Sequence, residues 1–249
     1  SQIIYNEKEY LIENFKSDII KIKQLIPNSK MIIMGGSLQN LTIVADFIPQ
    51  EKNSNKKTFD TRGLTGCLNL IDLEVKNINI EISNANCEDG VNIVRSKGTV
   101  NELKILNSSN DALDIDFSDI SILKTNISTA GNDCIDLSFG RYKIEESNIS
   151  DCGDKAISVG EKSDLDSQNL NIINANIGIA SKDSSKARLV NANFKNVEVC
   201  LAAYNKKQEF LGGFIKINNF TCKNFSKKTL IDNLSIISLN NKILQANEL

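Results

Sequence analysis

Apolar residues return in this chain every 22 positions. Val91, Leu113, Ile135, Ile157, Ile179 and Leu201 fall at that interval, each preceded by Gly90, Ala112, Cys134, Ala156, Gly178 or Cys200. Two places further on, Ile93, Ile115, Leu137 and Val159 restore the apolar side, so each segment alternates as a strand with one buried face does. Ile78, Val100, Ile122 and Ile144 form a second column at the same period, and Ile105, Ile127 and Ile149 a third. Polar corners, such as residues 107–110 and 129–132, separate the columns. Asn, Ser, Gly and Asp suit such corners because they tolerate left-handed backbone and bond their own main chain. Short strands repeating at a fixed interval predict a solenoid in which each coil covers its neighbour's apolar face. The expected fold is all-β: a right-handed, single-stranded parallel β-helix with 22-residue coils, running from near Leu64 to near Phe225. Both prolines, Pro27 and Pro49, precede the regular zone, in keeping with their exclusion from strand ladders.

The ends depart from the repeat, as solenoid ends should. Residues 1–249 read as one domain, with an N-terminal cap over 1–30 and irregular first coils over 31–66. Regular coils follow over 67–225, and a C-terminal cap over 226–249. Residues 6–15 suit an amphipathic helix starting near Asn6 and closing the open end of the core, while residues 19–25 also admit a strand. Early, irregular strands are expected at 31–34 and 38–44, and a polar surface loop at 51–57.

Composition then removes several function classes. With 29 basic and 31 acidic residues the net charge is −2, which offers no basic surplus for nucleic acid. No apolar run approaches the ~18 residues of a membrane span. The chain opens at Ser1 without a leader pattern, which reads either as a removed leader or as a piece of a larger, multidomain protein. An extracytoplasmic or cell-surface location is the expectation. Six cysteines are too few for a disulfide scaffold. Cys134 and Cys200 read as small buried apolar groups, and Cys200 and Cys222, one period apart, as stacked thiols rather than a bridge. No paired-Cys spacing suggests zinc. The chain has no histidine, so every imidazole mechanism is excluded. It has no tryptophan and only four tyrosines, which argues against a flat sugar-stacking platform.

Candidate chemistry gathers on three consecutive coils. If Leu113, Ile115, Ile135 and Leu137 point inward, Asp114, Asp116 and Asp136 point outward on one face. Asp111 and Asp133 stack at the entrance corner, one coil after Asp89. Equivalent residues on adjacent rungs lie ~4.8 Å apart, and the Asp116–Asp136 diagonal is about 8 Å. These separations span the two carboxylate geometries of glycoside hydrolysis. They also suit calcium, a hard cation that takes several carboxylates, so Asp114, Asp116 and Asp136 form a candidate metal set. Crowded like charges call for a metal, a proton or a basic partner, and Lys155, Lys162 and Lys182 on the next coils are candidates. The bland alternative is that Asp and Asn are ordinary corner residues and that the acidic face keeps the solenoid soluble.

The run Ser109-Asn110-Asp111-Ala112-Leu113-Asp114, then Asn132-Asp133-Cys134-Ile135, then Cys152-Gly153-Asp154-Lys155-Ala156-Ile157-Ser158-Val159-Gly160 resembles the polygalacturonase family of β-helix hydrolases, within the pectin-lyase-like folds. Gly178-Ile179-Ala180-Ser181-Lys182 is similar to that family's Gly-x-Arg-x-Lys substrate segment. The resemblance covers residues 107–184. It implies that Asp111 and Asp133 are catalytic carboxylates that handle water, and that Lys182 contacts substrate. Asn132 stands where the family has its acid, Lys155 where it has histidine, and Ala180 where it has arginine.

With the acid replaced by an amide, elimination or C5 epimerisation of an acidic, uronate-containing polysaccharide is the expected chemistry. Lys155 would then be a base of lowered pKa, and Asp114, Asp116, Asp136, Lys162 and Lys182 would bind substrate or calcium. The alternative is a non-catalytic, adhesin-like module that keeps the scaffold without the chemistry. The coils stay at 22 residues through the site, so long cleft loops are not expected.

Overall fold

Every inward position of the repeat is buried. Val91, Leu113, Ile135, Ile157, Ile179 and Leu201 are all inaccessible to solvent, and the Ile78 and Ile105 columns are nearly so. The computed structural model is an all-β parallel solenoid of about ten turns. It describes residues 2–16, 18–49 and 59–246. The surface loop expected at 51–57 lies outside the described residues.

Register follows the repeat. Val91 pairs with Leu113, Leu113 with Ile135, Ile135 with Ile157, Ile157 with Ile179 and Ile179 with Leu201. In the middle coils the strands run together: Arg141–Gly160, Asp164–Lys182 and Lys186–Tyr204 each span almost a full turn. The corners are tighter than the polar stretches of the sequence imply, because a single left-handed residue makes the bend. Asn107, Thr129, Asp151, Asn174, Asn196 and Asn224 all have positive φ and form one such column. Their side chains link successive coils, as in Asn174 to Asp151 at 2.7 Å and Asn196 to Asn174 at 3.0 Å. Amide and carboxylate side chains both fit the backbone angle and supply the cross-rung hydrogen bonds.

The N-terminal helix expected over residues 6–15 is replaced by strands. Tyr10–Lys16 runs antiparallel to Ile19–Gln24, after a turn in which Glu9 and Tyr10 N–H groups donate to the Asn6 carbonyl. The alternation of Ile20, Ile22 and Gln24 toward the core outweighs helical periodicity, since the first coil offers Ile19–Gln24 a parallel partner at Thr42–Asp46. Tyr10 is buried, and its hydroxyl donates to the Ser29 carbonyl. At the other end, Ile236–Leu239 and Lys242–Leu244 form an antiparallel pair that closes the last coil.

The cysteines also correct the sequence reading. All six are bridged: Cys67–Cys87, Cys134–Cys152 and Cys200–Cys222. Two of the bridges join residues 20 and 18 apart, so they link the small-residue column to a position off that column and escape arithmetic based on the 22-residue period. Three disulfides mark an oxidising environment.

Candidate functional site

One sheet of the solenoid carries the outward side chains at issue. Along its middle column run Asn92, Asp114, Asp136, Ser158 and Ala180, in register. On one side lie Val94, Asp116, Ser138 and Gly160, followed by Lys182 and Tyr204. On the other, at the entry corner, lie Asp89, Asp111, Asp133 and Lys155. Asp89 pairs with Asp111, the Asp133 N–H donates to Asp111 Oδ1 at 2.9 Å, and the Lys155 N–H donates to Asp133 Oδ1 at 2.9 Å. The structure thus brings Asp111, Asp133, Lys155, Asp114, Asp116, Asp136 and Lys182 onto one face. Lys162 is set apart, exposed at a left-handed position beyond the corner.

Asp111 and Asp133 do structural work at this corner. Each accepts the main-chain N–H of the equivalent residue one coil on, and Asp111 also takes the Asn132 amide at 2.7 Å. Asn132, which the resemblance placed at the acid position, is therefore a donor that holds Asp111. Lys155 reaches Asp133 at 3.4 Å and also pairs with Asp154. Burial lowers its pKa, but the Asp154 hydrogen bond and the Asp133 and Asp154 charges outweigh it and hold the ammonium above the ordinary lysine value. This corrects the expectation of a lysine base with a lowered pKa. A base must release its proton near working pH, and these ion pairs oppose that.

Asp89, Asp111, Asp114 and Asp116 have no such counter-charge, and burial favours their protonated forms instead. Burial, with the charges of Asp111, Glu88 and Asp116, pushes Asp89 up to about 7 despite a hydrogen bond from Thr65. Burial and Asp133 push Asp111 up to about 6, and burial and Asp136 push Asp116 up to about 6. Asp114 rises well above the carboxylate range, through burial and the surrounding Asp89, Asp116, Asp136 and Asp111, while accepting the Asn92 amide at 3.0 Å. Oδ2 of Asp89 and Oδ1 of Asp136 are buried without a hydrogen-bond partner among the described residues. No group of three or more acidic or cysteine side chains among the described residues converges closely enough to hold a metal ion. Asp114, Asp116 and Asp136 are thus not gathered into a preformed calcium cage.

Lys182 is buried, its stem lying over Gly160, where a Cβ would stand 2.8 Å from Lys182 Cε. Its charge reaches Glu161, a residue the sequence reading did not single out. Burial raises the Glu161 carboxyl, but hydrogen bonds from Lys207 at 2.5 Å and Ser138 at 2.6 Å, with the Lys182 charge, bring it below the ordinary glutamate value.

Lys207 belongs to a loop at 205–213 that stretches one coil to 28 residues, as the register of Val199 with Lys227 shows. The loop is pinned by buried Asp183, whose Oδ1 accepts the Lys206 and Lys207 N–H groups at 2.7 and 2.8 Å. A wall beside the face therefore exists where the constant coil length argued against one. Its Phe210 meets Phe139 edge-on at 6.2 Å, and Phe139 stacks on Phe117 at 4.8 Å with ring planes 4° apart. Phe117 and Phe139 were themselves legible, standing one 22-residue period apart directly after Asp116 and Ser138.

No protein-family model matches the chain, and neither a curated protein nor a solved structure matches it significantly. What the fold and the face define is therefore a class: a disulfide-bridged parallel β-solenoid with a face of clustered, largely buried carboxyls.

Proposed function

We propose that this solenoid works outside the cytoplasm on a uronate-containing polysaccharide laid along its axis, using carboxyl acid–base chemistry on the Asp114–Asp116–Asp136 face. The observation that supports it most is a pair of carboxyls on one outward face whose burial and neighbouring charges favour the protonated form, Asp116 pushed up to about 6 and Asp114 well above the carboxylate range. A glycosidic oxygen leaves more readily when a neighbouring acid still holds its proton, and a second carboxylate on the adjacent rung can activate water. Asp116 is the acid in this reading: it is half-buried on the outward side of its strand. Asp136, one rung on and diagonal to it, is the base. Lys155 and Asp133 shape the entrance. This replaces proton abstraction by Lys155, which its ion pairs disfavour.

The test is a panel of uronate polymers, with and without calcium, followed by reducing ends and by absorbance of unsaturated products. New reducing ends that fade as pH rises through about 6, and a loss of about 10²–10⁴-fold in Asp116→Asn, are expected. Unsaturated products or a calcium requirement would point instead to elimination, with calcium bridging substrate and Asp114, Asp116 and Asp136. A second reading, a non-catalytic binding module at the cell surface, is favoured by the internally satisfied Asp111, Asp133 and Lys155. Binding without any cleavage would select it.

A further inference from the structure

Charge is not spread evenly along the coils. Residues 186–228 carry nine lysine and arginine side chains against two carboxylates, Glu198 and Glu209, although the whole chain is slightly acidic. In the earlier coils outward cations stand in register with carboxylates on a neighbouring rung and pair with them. Lys104 meets Glu81 at 2.6 Å, Lys124 meets Glu102 at 3.0 Å and Arg141 meets Asp119 at 2.5 Å. In the last coils that pairing gives out. Lys195 stands in register with Lys223, and like charges directly opposite one another cost stability.

Just past the left-handed bend at Asn224 the same ridge gains Lys227. Lys195, Lys223 and Lys227 are all exposed, and none has a carboxylate within ion-pair distance among the described residues. Glu198 is the one acidic residue in the two segments 195–198 and 223–228, and Lys228 lies over the Phe220 ring at 6.0 Å. The ridge therefore has a net positive charge. It also continues the entry-corner column of the carboxyl face, because register runs from Lys155 to Ile177, Val199 and then Lys227. Lys227 thus stands three rungs, ~14 Å, beyond Lys155 and in line with Asp111 and Asp133.

We infer that Lys195, Lys223 and Lys227 anchor the carboxylates of a uronate chain whose reacting part lies over the carboxyl face. The inference rests on the polysaccharide reading above and supplies what that reading lacks: unpaired cations for a polyanion that the acidic rungs alone would repel. Rungs ~4.8 Å apart present ammonium groups at about the advance of one sugar unit along a linear glycan. A lysine is a point charge on a flexible stem, so its contacts tolerate small differences in where each carboxylate falls. A cationic end beside the reacting face also steers an anionic chain toward it. The oxidising setting marked by the three disulfides makes nucleic acid a poorer match for the same charge.

Titration calorimetry with oligogalacturonate, a neutral cello-oligosaccharide of equal length and inorganic polyphosphate tests this. The double variant Lys223→Gln, Lys227→Gln should weaken oligogalacturonate binding about tenfold or more and leave any binding of the neutral ligand unchanged. Its melting temperature should hold or rise, because the repulsion between Lys195 and Lys223 is relieved. A charge-matched control, Lys186→Gln with Lys216→Gln, alters the strand segments before the Asn191 and Asn219 bends and should bind as the unaltered protein does. If the Lys223 and Lys227 variant binds like the unaltered protein, or if both double variants lose affinity equally, the ridge is solvated surface and the inference is overturned. Polyphosphate bound more tightly than oligogalacturonate, with the loss confined to Lys223 and Lys227, would overturn it in favour of a phosphate-bearing partner. In each of these cases loss of cleavage in Asp116→Asn would still uphold the carboxyl face. If the unaltered protein binds no uronate oligosaccharide, the polysaccharide reading and the anchoring ridge fall together.

Discussion

Asp89 keeps its proton in the folded chain up to about pH 7, because it is buried among Asp111, Glu88 and Asp116. An unfolded aspartate releases its proton near about 3.9. Between those values the folded state binds more protons than the unfolded one, so stability falls as pH rises from about 4 to about 7. Asp111, Asp114 and Asp116 are shifted in the same direction and add to the slope. Asp72 and Asp119, held down by Arg95 and Arg141, act oppositely: their contribution is present above the unfolded value and is lost below it. Maximum stability is therefore expected on the acidic side of neutrality. Asp89→Asn should raise the melting temperature at pH 8 by about 2–4 °C for each kcal/mol regained, and should change little near pH 4. Thermal melts across that range check it, and stability that climbs from pH 4 to 7 would contradict the assignment.

A coil is the element of this fold, and its integrity depends on inward alternation. Ile135 lies between Leu113 and Ile157 with no exposed surface, so Ile135→Asp would place a charge where no partner can reach it. A loss on the order of 4 kcal/mol or more is expected, because few single changes are harsher. Hydrogen exchange should show the middle coils opening first, since each coil is supported only by its neighbours. Uniform loss of protection along the chain would show the coils to be more tightly coupled than that.

For the whole molecule, the bridges set the stability. Cys67–Cys87, Cys134–Cys152 and Cys200–Cys222 fall in the early, middle and late coils, closing loops of 20, 18 and 22 residues. Each should contribute about 3 kcal/mol by restricting the unfolded chain. Reduction should therefore lower the denaturant midpoint strongly and broaden the transition, because coils without staples can unfold in sections. An unchanged midpoint after complete reduction would show that the bridges merely decorate an already stable stack.

The 22-residue period was enough to specify the parallel solenoid, its inward columns and the pairing of Asp114 with Asp136, because a repeat that buries one face leaves no other register. It also placed Asp111, Asp133 and Lys155 at one corner, since equivalent residues must stack. Chain ends and insertions lie outside that logic. Tyr10–Lys16 became a strand because Ile19–Gln24 offered it a hydrogen-bonding edge, and no local propensity records that edge. Two of the disulfides joined cysteines off the period, Cys67–Cys87 and Cys134–Cys152, at separations that depend on where the corners fall. Only the folded chain decided the protonation of the site. Lys155 stays charged because Asp133 and Asp154 meet it, and Asp89, Asp111, Asp114 and Asp116 hold protons because burial and their neighbours' charges make ionisation costly. Spacing along a strand tells which side chains share a face, but burial and counter-charge are sums over every coil packed around them, and those sums exist only in three dimensions.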